Sequence, residues 1–376
     1  MAANGENQRE RMRERPRKGG KPMSKSFVNK ALLGGAVAAG AAVWAIAPRT
    51  FSDKRRNYVP SIPDVWYAHR GLHDAGSGLT AQYANESGEY VALARRMAMK
   101  AGYGSPSVTG AIAPENSLAA FAAACEAGYG IELDLQMTAD GEIVVVHDGD
   151  LMRVAGDPRR IADLTYDELT RIPLFPTDAP GAAVAASLPG SLEKPPLVTT
   201  PDSAPEGYFQ HVPLFADVLK VVAGRVPLIV EYKFDDNSKW GSRDVELMEK
   251  GDALLQAYSG AYVIESFNPA AVNWYKENRP EVCRGQLSWW PQGEEKPSDP
   301  ASLAKEYAAG ALIFDWISRP DFVAYDWHGG NSPQVRLARF MGAVPVSWTV
   351  RSRDELAQCD DWFDHHIFEA FVPDEQ

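Results

Sequence analysis

Residues Ala113 to Asp148 run APENSLAAFAAACEAGYGIELDLQMTADGEIVVVHD, a pattern of helix, strand, tight turn and second strand. Ser117 to Ala127 is an Ala-rich helix with Asn116 or Ser117 as its cap, and Gly128 and Gly130 supply a stop where positive φ costs little. In the strand Ile131 to Gln136 side chains alternate faces, so Ile131, Leu133 and Leu135 point one way and Glu132, Asp134 and Gln136 the other. Thr138 to Gly141 is a turn signal, and Ile143 to Val146 is an apolar strand that delivers His147 and Asp148 at its end. Two carboxylates sharing a half-buried face repel unless a cation lies between them, and a divalent metal is the simplest such cation. A solvated strand of alternating polarity would also read Glu-x-Asp; what tells against it is the rest of the chain.

In chain order, His69-Arg70-Gly71, Pro114-Glu115-Asn116-Ser117, Glu132-Leu133-Asp134, Thr138 to Gly141, His147-Asp148 and Leu151-Met152-Arg153 precede Val230 to Lys233, Glu265-Ser266-Phe267 and Ser347 to Val350. This succession resembles the glycerophosphodiester phosphodiesterase family across residues 65 to 370, interrupted by two insertions. The resemblance implies an α/β fold, a distorted TIM (β/α)8 barrel. It also implies hydrolysis of glycerophosphodiesters to an alcohol and glycerol 3-phosphate with a divalent metal and two histidines.

The 376 residues, 45% of them hydrophobic, suffice for one large domain. A net charge of -12 argues against a nucleic-acid partner, so an anionic substrate must be met by local cations or a metal. Cys125, Cys283 and Cys359 have no zinc spacing and read as small buried side chains.

The N-terminus is different in character. Residues 1–30 carry nine Lys/Arg without apolar periodicity, as expected of a basic cytoplasmic tail. Ala31 to Ala47 is free of charge, at a length between a short transmembrane helix and a long signal peptide core. Pro48 would hinder cleavage after Ala45-Ile46-Ala47, and the flank Arg49, Lys54, Arg55, Arg56 is unlike a mature N-terminus. The expectation is an uncleaved transmembrane signal anchor over 31–47 with the catalytic domain outside the cytoplasm; a cleaved signal and a buried Ala/Gly helix are the alternatives.

Residues 48–64 form a linker, and 65–376 the barrel domain, with insertions at about 72–113 and 173–213. The first insertion carries a helix over Glu89 to Lys100 and reads as a lid or a surface decoration; the second, rich in Pro, Ala, Gly and Ser, reads as an extended loop. Eight strands can be placed: Val65 to His69, Ile131 to Gln136, Ile143 to Val146, Pro227 to Lys233, Ala261 to Ser266, Arg284 to Ser288, Asp321 to Tyr325 and Val344 to Val350. The second and third are joined directly by the turn, so the barrel is irregular there.

His69, Glu132, Asp134, His147, Glu231 and Lys233 all fall at or near the C-terminal ends of these strands, the face on which barrel enzymes build their sites. Imidazole titrates near neutrality, so His69 and His147 are the candidate acid–base pair. Glu132, Asp134 and Glu231 form a hard-oxygen set suited to Mg2+ or Ca2+. Lys233 and Arg70 are candidates for holding phosphate, Arg70 equally for pairing with Glu115; Glu115 and Asn116 are read as support. Phe267 and Trp348 are candidate walls of the glycerol or head-group pocket. The runner-up is a barrel phospholipase, of the phosphoinositide C type or lysophospholipase D, taking a lipid-derived substrate at the membrane; after it comes a non-catalytic membrane-anchored binding module.

Overall fold

The computed structural model describes residues 40–52, 61–176, 208–237, 239–291 and 296–374. Residues Val43–Gln376 form one compact unit, and of the preceding unit, Met1–Ala42, only 40–42 are described. The main sheet contains β1 (Tyr67–His69), β2 (Gly130–Met137), β3 (Ile143–Val145), β4 (Leu228–Tyr232), β5 (Tyr262–Ser266), β6 (Arg284–Ser288), β7 (Phe322–Asp326), β8 (Val344–Val350) and β9 (His365–Phe368). β1 pairs in parallel with both β2 and β9, which closes eight of these strands into a TIM-type barrel; β3 lies antiparallel on β2, outside the ring.

Alternation along each strand sorts side chains between two cores. In β4, Ile229 joins an apolar cluster with Tyr67, Val263, Phe322, Val346 and Ile367, whereas Leu228 and Val230 join the larger cluster shared with the helices. The first set fills the barrel and the second seals it to its helical coat. Two residues further along the same strands, the inward parity falls on His69, Glu231, Glu265 and Glu369. The interior is therefore apolar below and ionisable at the C-terminal rim.

The coat consists mainly of α1 (Ala84–Lys100), α2 (Leu118–Ala127), α3 (Phe215–Val222), α4 (Ser242–Gln256), α5 (Pro269–Asn278), α6 (Pro300–Gly310), α7 (Pro333–Phe340) and α8 (Arg353–Cys359). α2 forms as its sequence dictates: the Ser117 hydroxyl accepts from Ala120 N at 3.2 Å, and Gly128 ends it at φ 82°. Cys283 and Cys359 are buried and unpaired, and Cys125 is half-buried.

Two expectations are corrected. The strand Ile143 to Val146 is not a barrel member, since its partner across the tight turn is antiparallel β2; the eighth barrel strand is β9. Four residues reading HHIF show too short a pattern to identify a strand locally. The insertion over 72–113 packs one face of α1 on α2, burying Tyr90, Val91, Ala94 and Ala98. Asp74 staples its ends, accepting from Ala113 N at 2.8 Å, Ile112 N at 2.9 Å and Arg95 Nη1 at 2.7 Å. The second insertion lies mostly outside the described residues, although Leu174, Phe175 and Val212 at its ends are buried in a satellite core.

The second correction concerns the membrane anchor and the placement of the domain beyond it. Among the described residues no helix is long and apolar enough to cross a membrane. The tail 1–30 and residues 31–39 lie outside the described residues. The end of the charge-free stretch is spent on the barrel unit, with Ile46 and Ala47 in the main core. Arg49, read from sequence as a flanking charge, is buried with its Nη1 3.2 Å from Asp321 Oδ2, and Arg319 Nη1 donates to the carbonyls of Trp44 and Ala47 at 2.7 Å each.

If α1 belongs to the fold in this way, Tyr90→Ala should lower the unfolding free energy by about 3–5 kcal/mol, as for other large buried aromatics. Denaturant midpoints would measure it; a loss within about 0.5 kcal/mol would mean that α1 is peripheral.

Candidate active site

β2 and β4 run side by side with Asp134 opposite Glu231, and the tighter constraint comes from burial. Oxygens of Glu132, Asp134 and Glu231 all lie within 4.8 Å of one another, and all three residues are buried. Burial and the neighbouring Asp134 and Glu231 charges push Glu132 well above the usual carboxylate range. Glu231 is raised to about 7 by burial, against the pull of Lys233. Asp134 goes the other way: burial raises it, but Lys233, His147, Arg70 and a hydrogen bond from Asn116 Nδ2 at 2.8 Å together hold it low. Lys233 Nζ sits 2.9 Å from Glu231 Oε2 and 3.4 Å from Asp134 Oδ1.

The trio fits a hard cation. The donors are oxygens alone, two carboxyls are driven toward neutrality for want of positive charge, and Asp134 Oδ1 has no hydrogen-bond donor. The Asn116 Oδ1 amide oxygen is likewise buried without a donor.

His69 stands at the end of β1 opposite Glu132 in register. Its Nδ1 is 2.6 Å from Glu369 Oε2, and its Nε2 lies 3.8 Å from Glu132 Oε2. Burial lowers the imidazole to about 4 despite Glu369, so at neutral pH the ring is uncharged. Donating Nδ1–H to the carboxylate leaves Nε2 as an acceptor facing the acidic trio. Glu369 follows β9; burial raises it, but His69 and Arg351, whose Nε is 2.7 Å from Oε1, keep it well below its ordinary value.

His147 is carried past the end of β3, and Gln136 fixes the backbone there. Its Nε2 donates to the carbonyls of Val146, His147 and Asp148 at 2.9, 3.0 and 2.8 Å, while Val146 N donates to Asp134 O at 2.9 Å. The half-buried imidazole places Nδ1 2.7 Å from Asp148 Oδ1, and Asp148 Oδ2 accepts from Arg153 Nε at 2.7 Å. Arg153 continues to Glu115 through Nη1 at 2.9 Å and Nη2 at 2.5 Å. Glu115 also accepts from Arg70 Nη1 at 2.9 Å.

Arg70 is thus the Glu115 partner that its sequence position allowed, yet its Nε, 3.4 Å from Asp134 Oδ2, donates no hydrogen bond. Phe267 and Trp348 meet edge-on with ring centres 5.5 Å apart, and Lys233 Nζ is 5.7 Å from the Phe267 ring. Both rings are half-buried and pack against the apolar cluster inside the barrel. Phe267 also lines a cavity of about 510 Å3 with Trp240, Gln286, Trp289 and Phe314.

All eleven residues selected from sequence stand in or beside this rim network, joined directly or through shared partners. Sequence reasoning missed Glu369, Arg351 and Ser77, and gave no role to Arg153 or Glu265 although both lie in quoted motifs. Glu265 is opposite Glu231 in register, and burial followed by the Glu231 charge pushes it well above its ordinary value. Its signal was strand parity; Glu369 had none, because β9 was not recognised.

Comparison with known proteins follows the same lines. A model of the glycerophosphoryl diester phosphodiesterase family matches residues 108–368. The chain is 43% identical over 283 residues to the bovine glycerophosphodiester phosphodiesterase 1, covering 70% of this chain and 74% of that one. A glycerophosphodiester phosphodiesterase of Caldanaerobacter subterraneus is 43% identical over 60 residues, 16% of this chain; that alignment spans 25% of the relative, and those with two Bacillus proteins span 24% of each. Among solved structures, a Silicibacter pomeroyi protein superposes with TM-score 0.53 at 19% identity, covering 83% of this chain and 92% of that one. An Oleispira antarctica phosphodiesterase in complex with the product sn-glycerol-3-phosphate superposes with TM-score 0.51 at 16% identity, covering 82% and 94%. The family match begins after His69 and ends one residue before Glu369, so that pair is joined to the rest by the barrel.

Glu115 should make the protein sensitive to acid. Burial raises its carboxyl, but Arg70 and Arg153 outweigh burial and hold it far below its ordinary 4.5. Stability from a carboxyl depressed in this way is present above the unfolded value and is lost as pH falls below it toward the folded one. Unfolding free energy measured from pH 6 to pH 3 should therefore fall less steeply in Glu115→Gln than in the parent; equal slopes would show that the Arg70–Glu115–Arg153 clamp contributes little.

Proposed function

The chain belongs to the glycerophosphoryl diester phosphodiesterase family, and from that we propose that its barrel, residues 65–376, hydrolyses a glycerophosphodiester to an alcohol and glycerol 3-phosphate. In this reading His69 and His147 move the protons, and Glu132, Asp134 and Glu231 hold one hard divalent cation, Mg2+ or Ca2+. One observation carries it: two imidazoles, each oriented through Nδ1 by its own carboxylate, converge with a buried acidic trio on one rim of the barrel. The product bound to the Oleispira antarctica phosphodiesterase supports the choice of product.

The P–O bond to the alcohol breaks while a new P–O bond forms to the attacking oxygen, either water or the glycerol 2-hydroxyl. One imidazole takes the proton of the attacking hydroxyl through its free Nε2, and the other gives a proton to the departing alkoxide. Attack by the 2-hydroxyl leaves a cyclic phosphate that water then opens with the imidazole roles reversed. Glu369 and Asp148 keep the two rings in one tautomer and stabilise each while it carries the extra proton. Lys233 and the unengaged Arg70 Nε offer positive charge to the phosphate, and Phe267 with Trp348 forms a wall beside it. When bound, the cation would supply positive charge to the phosphoryl oxygens as negative charge builds on them.

A second reading comes from the cavity beside Phe267, whose aromatic lining would suit an apolar acyl chain carried on the glycerol side of the substrate. A lysophospholipid would then be cleaved in preference to the glycerophosphodiesters of choline, ethanolamine, glycerol or inositol. Measuring glycerol 3-phosphate release from the small diesters, and lysophosphatidate release from the lysophospholipid, separates the two readings.

His69→Ala and His147→Ala should each lower kcat by roughly 10²- to 10⁴-fold, the usual contribution of an acid–base group. Near-normal turnover in either folded variant would remove the two-histidine mechanism. Chelation should abolish turnover reversibly without altering far-UV circular dichroism, because the barrel's apolar burial far exceeds what one site contributes. Glu231→Gln should raise the metal concentration giving half-maximal rate; an unchanged requirement, or full activity in EDTA, would mean that the trio is not the ligand set.

A further inference from the structure

Within the insertion between β1 and α2, the chain passes directly behind the rim network. Ser77 Oγ donates to Glu369 Oε2 at 2.7 Å, the oxygen that His69 Nδ1 approaches at 2.6 Å. The Ser77 backbone N donates to Glu115 Oε2 at 2.6 Å, the oxygen that also accepts from Arg153 Nη1. Glu369 orients His69; Glu115, through Arg153 and Asp148, braces His147. One residue of the insertion is therefore bonded to both networks.

The backbone around it is built for close approach. Gly78 adopts φ 75°, and a Cβ there would lie 2.7 Å from the Glu369 carboxyl. A Cβ on Gly76, at φ 157°, would lie 2.6 Å from Glu115 Oε2. Only glycines on both sides let the turn bring Ser77 between the two carboxylates. The loop is held from behind as well, His73 Nε2 lying 3.1 Å from Ser77 O and Tyr90 OH 3.3 Å from His73 Nδ1. Tyr90 belongs to the buried face of α1, which links the helix of the insertion to the rim.

We propose that Ser77 is a positioning residue for the proposed hydrolysis, fixing the Glu369 carboxylate and through it His69, so that the insertion is a working part of the active site. Glu369 is fully buried and carries charge, and its three side-chain donors among the described residues are His69, Arg351 and Ser77. Arg351 occupies Oε1. On Oε2 the serine hydroxyl is the donor that leaves the carboxylate one position from which to meet His69. Without it the carboxylate can turn about its last bond, and the imidazole loses its fixed direction while substrate contacts are untouched.

The inference rests on the two-histidine reading, and its test separates the two. In the full chain, Ser77→Ala should lower kcat about tenfold while KM for the best glycerophosphodiester stays within about twofold, as for other residues that orient a functional histidine. Ser77→Thr keeps the hydroxyl and should restore kcat to within about threefold of the parent. Because Ser77 acts through Glu369, adding Ser77→Ala to Glu369→Gln should cost less than a further twofold. Thermal unfolding establishes that each variant is folded, and Ser77→Cys, close in volume and a weak donor, serves if Ser77→Ala is not. If His69→Ala is inactive but Ser77→Ala matches the parent, the inference falls and the mechanism stands. It falls equally if Ser77→Ala raises KM as much as it lowers kcat, or if its effect simply multiplies with that of Glu369→Gln. An active His69→Ala enzyme removes the mechanism itself.

Discussion

The structure depends on the balance of buried charge at one end of the barrel. Glu115, Glu132, Asp134, Glu231, Glu265 and Glu369 are buried there together, answered by Arg70, Arg153, Lys233 and Arg351. Carboxylates with a close cation sit low, as Glu115, Asp134 and Glu369 do. Those left over, Glu132 and Glu265, are pushed well up, with Glu231 between at about 7. Such a cluster is costly to assemble and is kept in place by the apolar interior beneath it, the contrast expected of a site whose purpose is chemistry. The shortfall of positive charge falls on the residues proposed to hold a metal, which makes the electrostatics and the chemistry a single argument.

The barrel supplies what that cluster requires, namely fixed separations. Parallel registers set His69 beside Glu132, Asp134 beside Glu231 and Glu231 beside Glu265, and closure of β1 on β9 brings Glu369 to His69. The departure from a regular barrel at β3 has its own consequence. By turning back on β2, β3 carries His147 to the rim, and Gln136 of β2 holds it there through three carbonyls. One histidine thus comes from the ring and the other from a strand laid against it, so each acquires a different carboxylate.

The long connection after β1 has a comparable role. Its helix buries one face in the coat, and its first turns reach the rim between Glu115 and Glu369. Length in this loop therefore adds both apolar burial and a second set of hydrogen bonds around the histidines. Loops after barrel strands rim the active site, which is why an insertion at this point can affect the chemistry when one elsewhere would not.

Much was legible from sequence wherever the cause is local. Period-two alternation put Glu132 and Asp134 on one face, the Gly128 stop separated α2 from β2, and strand ends carried His69 and Glu231 to one rim. These depend on residues only a few positions apart, so the order of side chains along the chain determines them. The closing strand, Glu369 on His69 across 300 positions, and Arg49 on Asp321 across 272 were decided only by the tertiary structure. That Arg49 is a buried partner and not a flanking charge, and that Lys233 lies between Asp134 and Glu231, were decided in the same way. The physical reason is the same in each case: which charge neutralises which is set by distances across a closed barrel and by shared burial, and neither quantity has a period that a linear pattern can carry.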